Sequence, residues 1–158
     1  MNTTAREAPR WFRIVSALAV AWMLVGVSAW VMDLLMDEAA LARMEEGQRL
    51  LYTERPGWVL VMYGIATFTG LAGAVGLLLR RGWAVPALVV SLVAVTIQFG
   101  YVLFAMDAIG RIGAAAAVPF PLVIFTIGVA LLGLAVSAAK RGWLTDTRGA
   151  TTQAAITR

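Results

Sequence analysis

The sequence predicts an all-α integral membrane protein, a four-helix bundle with both termini on the cytoplasmic side. Three observations predict it. First, four apolar runs carry no charge: Ile14–Met32, Pro56–Leu79, Gly82–Met106 and Ile112–Ala139. Each is long enough for a membrane-crossing helix, which needs about 20 apolar residues. Second, the charges between the runs sort by side. One side collects Arg6, Arg10, Arg13, Arg80, Arg81, Lys140, Arg141, Arg148 and Arg158 with two acids, a balance of +7. The other holds Arg43, Arg49, Arg55 and Arg111 with seven acids, a balance of −3. Basic flanks stay in the cytoplasm, so both ends are expected inside. Third, Trp11, Trp83 and Trp143 fall at inner boundaries and Trp30 and Trp58 at outer ones, where amphipathic rings anchor. Trp22 alone lies near mid-span, and packing is its default role.

The elements follow in order. After a short polar tail, the first span covers about 12–32. Its basic start and Val27-Ser28-Ala29 resemble a signal peptide, but the apolar run continues through Trp30-Val31-Met32, so an uncleaved span is expected. The connector 33–55 is rich in helix formers. Leu34, Leu41 and Met44 share one face, which predicts an amphipathic helical segment on the outer surface, with Gly47 as its stop. Such a segment reads as a connector, a lid or a docking element. The second span, 57–79, opens at Pro56-Gly57-Trp58. The Arg80-Arg81-Gly82-Trp83 turn makes it an antiparallel neighbour of the third, 84–106. An Ala/Gly-rich, turn-like stretch leads to Pro119 and the fourth span, 119–139. Residues 1–143 thus form one transmembrane domain, and 144–158 a flexible cytoplasmic tail. Basic-basic-Gly-Trp recurs at 80–83 and 140–143, and Met-Asp at 32–33 and 106–107. Either duplicated hairpins or the shared demands of membrane boundaries produce that pattern.

Composition excludes several classes. With 61% hydrophobic residues and basic groups at helix ends, the +4 net charge points to lipid head groups and not to nucleic acid. With neither Cys nor His, there is no thiol nucleophile, disulfide or His-ligated metal. Ser and Thr lack a recognisable base, so no catalytic residue is assigned and the chain is not expected to be an enzyme. Gly70-xx-Gly73-xx-Gly76 lies inside an apolar span and is no phosphate loop. No charge lies within any of the four apolar runs, which disfavours ion coupling.

Two constellations remain. Ala66, Thr69, Gly70, Gly73 and Ala74, with Gly133 and Ser137 on the fourth span, are spaced for close helix packing, within the chain or across a dimer. Gln98 and Tyr101 lie one turn apart, with Tyr63 and Thr67 at similar depth. An amide in lipid turns inward for partners, giving either an interhelical clamp or a polar pocket. Asp33 and Asp107, at matching outer ends, read as solvated helix-end charges, a cation site or partners for Arg55 and Arg111.

The strings Ala21-Trp22-xxx-Gly26, Pro56-Gly57-Trp58, Leu77-Leu-Leu-Arg-Arg-Gly-Trp-Ala84, Ser91–Tyr101 and Arg141-Gly142-Trp143-Leu144 extend from the first span to just past the fourth. Through them the chain resembles a family of small four-span bacterial inner-membrane proteins, often labelled sugar transporters. The resemblance implies an inner-membrane location. Met23 stands where that family often has Asn, which removes a polar group from any sugar site. The expected role is an accessory or scaffold subunit in a membrane assembly, with a protein partner or a second copy. The alternative is an oligomeric small-molecule transporter or binder using Gln98, Tyr101, Tyr63 and Thr67. No cofactor is predicted, although a bound lipid or pigment is compatible with the composition.

Overall fold

Eight α-helices and one π-helical turn make up the computed structural model, which describes residues 7–145. Arg6, Arg148, Arg158 and the tail from 146 onward lie outside the described residues. The helices are α1 (Arg10–Leu34), α2 (Glu38–Leu41), α3 (Glu46–Thr53), α4 (Gly57–Leu78), α5 (Ala84–Gly100), α6 (Ala108–Ile112), α7 (Ala114–Ala117) and α8 (Pro119–Lys140). The π turn, Tyr101–Ala105, prolongs α5. Among the described residues, four helical stretches are long and apolar enough to cross a membrane: α1, α4, α5 with its π turn, and α7 with α8. We call the end where α1 starts and α8 stops basal, and the opposite end distal.

Both α4 and α8 end basally in the same hydrogen-bonded cap. Arg80 and Arg81 donate back to Leu77 and Gly76 carbonyls, and Gly142 and Trp143 to those of Ala139 and Ala138. The left-handed residue of this motif is Arg80 (φ 58°) in one and Gly142 (φ 70°) in the other. The repeated basic-basic-Gly-Trp strings therefore sit two positions out of register with their helix ends. That speaks for shared boundary chemistry over a duplicated hairpin. The strings nevertheless meet: Thr145 N donates to Arg80 O at 2.7 Å, and Gly82 N to Thr145 O at 3.0 Å. Leu144 and Thr145, expected in the flexible tail, are thus fastened to the α4–α5 turn.

The distal end departs further from expectation. The connector is broken at 35–37, where the Asp37 carboxylate accepts from Ala40 N and caps α2. Gly47 does not stop a helix but opens α3. A Cβ there would lie 2.7 Å from Arg111 O, so glycine lets α3 approach α6. The stretch after Met106 is helical, not turn-like. Asp107, left-handed at φ 51°, caps α6 through Gly110 N, and Arg111 pairs with Glu54 at 2.6 Å.

α4 packs against α1 and α5, and α5 against α8. Glycines set the α4 contacts. A Cβ at Gly73 would lie 2.5 Å from Leu88, one at Gly70 2.8 Å from Met23 Sδ, and one at Gly64 3.1 Å from Trp30. Close approach multiplies the dispersion contacts between the helices. The core concentrates basally, around Phe12, Leu77, Ala84, Leu131 and Ala135. Trp11, Phe12 and Trp143 meet there edge to face, tying α1 to the end of α8. Further up, the backbones of α1 and α8 scarcely approach each other.

Candidate functional site

Above the basal core, the four long helices line a cavity of about 650 Å³. That size falls within the roughly 300–1,000 Å³ usual for small-molecule sites. Each wall is one helical stripe. α4 contributes Val59, Tyr63, Ala66 and Thr67, and α5 contributes Leu88, Ser91, Leu92, Val95 and Gln98. These residues recur at three- and four-residue steps, as one face of a helix requires. α1 supplies Trp22, Val25, Gly26 and Ala29, and α8 supplies Phe120, Ile124, Ile127 and Gly128. The connector supplies the roof, with Met36, Met44, Gln48 and Leu51. Residues 33–55 are therefore part of the site and not a plain link.

Three of the four residues singled out for a polar pocket, Tyr63, Thr67 and Gln98, line this cavity. Tyr101 does not. Three residues of α-helix advance about 300°, so Tyr101 sits roughly 60° around from Gln98. It packs instead on Trp58, with ring centroids 4.7 Å apart. The Thr67 hydroxyl turns back to the Tyr63 and Gly64 carbonyls. Gln98 is only 7% exposed, and its Oε1 has no hydrogen-bond partner. Buried amides are normally satisfied, because an unmatched one costs about 1–3 kcal/mol. The interhelical clamp expected of Gln98 is made by Ser91, whose Oγ donates to Ala66 O at 2.7 Å. A Cβ at Gly70 would crowd that hydroxyl to 2.9 Å.

The distal mouth carries the cavity's charge. Arg55 pairs with Asp33 at 2.9 Å, with both side chains largely shielded. The Arg55 guanidinium lies over the Tyr52 ring, 4.7 Å from its centroid, and Tyr52 OH donates to Asp33 O at 2.6 Å. Burial, then the neighbouring Asp33, raises the Tyr52 phenol above its usual value near 10. Asp107 takes no part in the mouth; it caps α6. No described residues form a cluster of three or more His, Cys, Asp or Glu side chains suited to a metal. The Asp33–Arg55 pair is one of the alternatives the sequence leaves open, whereas Arg111 pairs with Glu54 and not with Asp107; the part of Tyr52 is hidden because it stands two helix breaks away from Asp33.

The remaining residues divide by face. Ala66, Gly70, Gly73 and Ala74 are buried within the chain. Thr69 is half-buried and bonds its hydroxyl to Ile65 O. Gly133 and Ser137 face outward, and a Cβ at 133 would meet nothing within 4 Å; α8 packs through Leu131, Ala135 and Ala138. Trp11, Trp58 and Trp83 are partly exposed at helix ends. Trp30 also clamps α1 to α4, donating Nε1–H to Leu60 O at 3.1 Å. No protein-family model, curated protein or solved structure matches the chain.

Proposed function

We propose that the chain is a four-span inner-membrane protein, with basal end in the cytoplasm, that binds a small apolar or amphipathic molecule between its helices without transforming it. The observation that carries this reading is the cavity, lined in part by Gln98, whose buried Oε1 has no hydrogen-bond partner. A largely apolar enclosure with few polar groups is the usual form of a small-molecule site. Burying an unmatched amide is a cost that a ligand would offset. Binding takes precedence over the accessory role because the α4 small residues that motivated the latter are consumed within the chain, against Met23, Leu88 and Ser91.

Native mass spectrometry of the full chain, extracted in mild detergent, tests the binding reading. A small molecule should co-purify, and Leu92→Trp, which fills the cavity, should release it. Identical mass profiles for the two proteins would end the proposal. Orientation is separately testable, since the chain has no Cys. A single cysteine replacing Gln48 should react with an impermeant maleimide from outside intact cells, and one replacing Thr145 should not.

A further inference from the structure

Resting on that reading, we infer that the ligand is an uncharged lipid with an oxygen-bearing head, which enters sideways from the outer leaflet through the seam between α1 and α8. Three features carry the inference. The first is the seam. Val25 of α1 and Phe120 of α8 line the cavity yet are 63% and 64% exposed, and Trp22 is 37% exposed. Trp11 and Phe12 of α1 meet Trp143, just past α8, at the basal end, while the backbones of the two helices come close at few points. The cavity is thus open along an apolar side, where a lipid chain would lie half inside and half among its neighbours.

The second feature is charge. Among the described residues, Asp33 and Arg55 are the only charged ones that line the cavity, and they neutralise each other at 2.9 Å. An anionic or cationic head would enter with no free counter-charge, and desolvating it would cost more than the cavity returns. The third is Gln98. At a rise of about 1.5 Å per residue, Gln98 and Tyr63 both lie roughly 10 Å below the distal ends of their helices. That depth suits a head just under the roof, with its tail running down toward Leu88 or out through the seam. Gln98 lines the cavity, so its amide NH2 can donate to a head-group oxygen, and the shielded Oε1, which has no partner, can accept from a hydroxyl once the side chain turns.

Photo-crosslinking in proteoliposomes tests this with three diazirine-bearing probes of equal chain length: a long-chain alcohol, its phosphate ester and its trimethylammonium analogue. The alcohol should label α1 and α8 peptides most strongly. Gln98→Leu should weaken its half-saturation about five- to tenfold, the loss of one hydrogen bond. Leu92→Trp and Ile124→Trp, each checked for native helix content, should abolish labelling. Equal labelling by all three probes that both Trp variants abolish would overturn the neutral-lipid inference and leave the cavity reading standing. Labelling that neither Trp variant diminishes would overturn both.

Discussion

Arg55 bridges back to Asp33 at 2.9 Å, joining the start of α4 to the end of α1 above the cavity. Both side chains are mostly shielded, so neither is well served by water alone once its partner is removed. Asp33→Asn or Arg55→Gln should each destabilise the protein by about 1–3 kcal/mol. Their combination should cost clearly less than the sum, because the second change removes a group already stranded. Thermal unfolding in detergent, followed by circular dichroism, measures the cycle. Strictly additive losses would show that the two residues act independently.

Tyr52 supplies a pH signature. Its phenol is held neutral above the ordinary range, first by burial and then by Asp33. A raised folded-state pKa means its stabilising contribution is complete below pH about 10 and fades as pH rises through the elevated value. The ultraviolet phenolate titration of the parent protein minus that of Tyr52→Phe should show a midpoint above 10. A midpoint at or below 10 would contradict the shielded hydrogen bond to Asp33.

The glycines of α4 and α8 should behave oppositely. Gly73→Ala forces a Cβ to 2.5 Å from Leu88, and such overpacking costs about 1–3 kcal/mol. Gly133→Ala meets nothing and should be neutral or gain up to about 1 kcal/mol from helix propensity. A large loss at Gly133 would reveal a contact outside the chain, as an oligomer seam through Gly133 and Ser137 requires.

Ser91 and Gln98 separate structure from binding. Ser91→Ala removes the Ala66 clamp and should cost about 0.6 kcal/mol. Gln98→Leu removes an unmatched amide, so the ligand-free protein should gain stability, up to about 1–3 kcal/mol. Ligand retention should move the other way. A stability loss in the ligand-free Gln98→Leu protein would mean that the amide has a partner within the fold.

Much of the architecture is legible in the linear chain. The four apolar runs and their lengths follow from local chemistry, and the four long helices stand within a few residues of expectation, whereas Gly47, expected as a helix stop, lies inside α3 and the stretch after Met106 is helical. Gln98 is legible as a residue needing company, because an amide in an apolar span must be satisfied or functional. Its neighbours are less legible. Tyr101 falls outside the cavity because its side chain leaves the helix on a different facing, toward Trp58. The connector divides where Asp37 offers a cap.

By itself, the sequence determined that the chain is helical, how many helices are long and apolar enough to cross a membrane, and where the charges lie, since propensity, run length and charge act along the chain. Only the tertiary structure decided which residues the α4 glycines approach, that the Gln98 Oε1 is left without a partner, and that residues 33–55 roof a cavity. Those depend on how helices turn about their axes and on which backbones glycine lets come close. Distances between elements far apart in the chain set the outcome, and no local pattern encodes them.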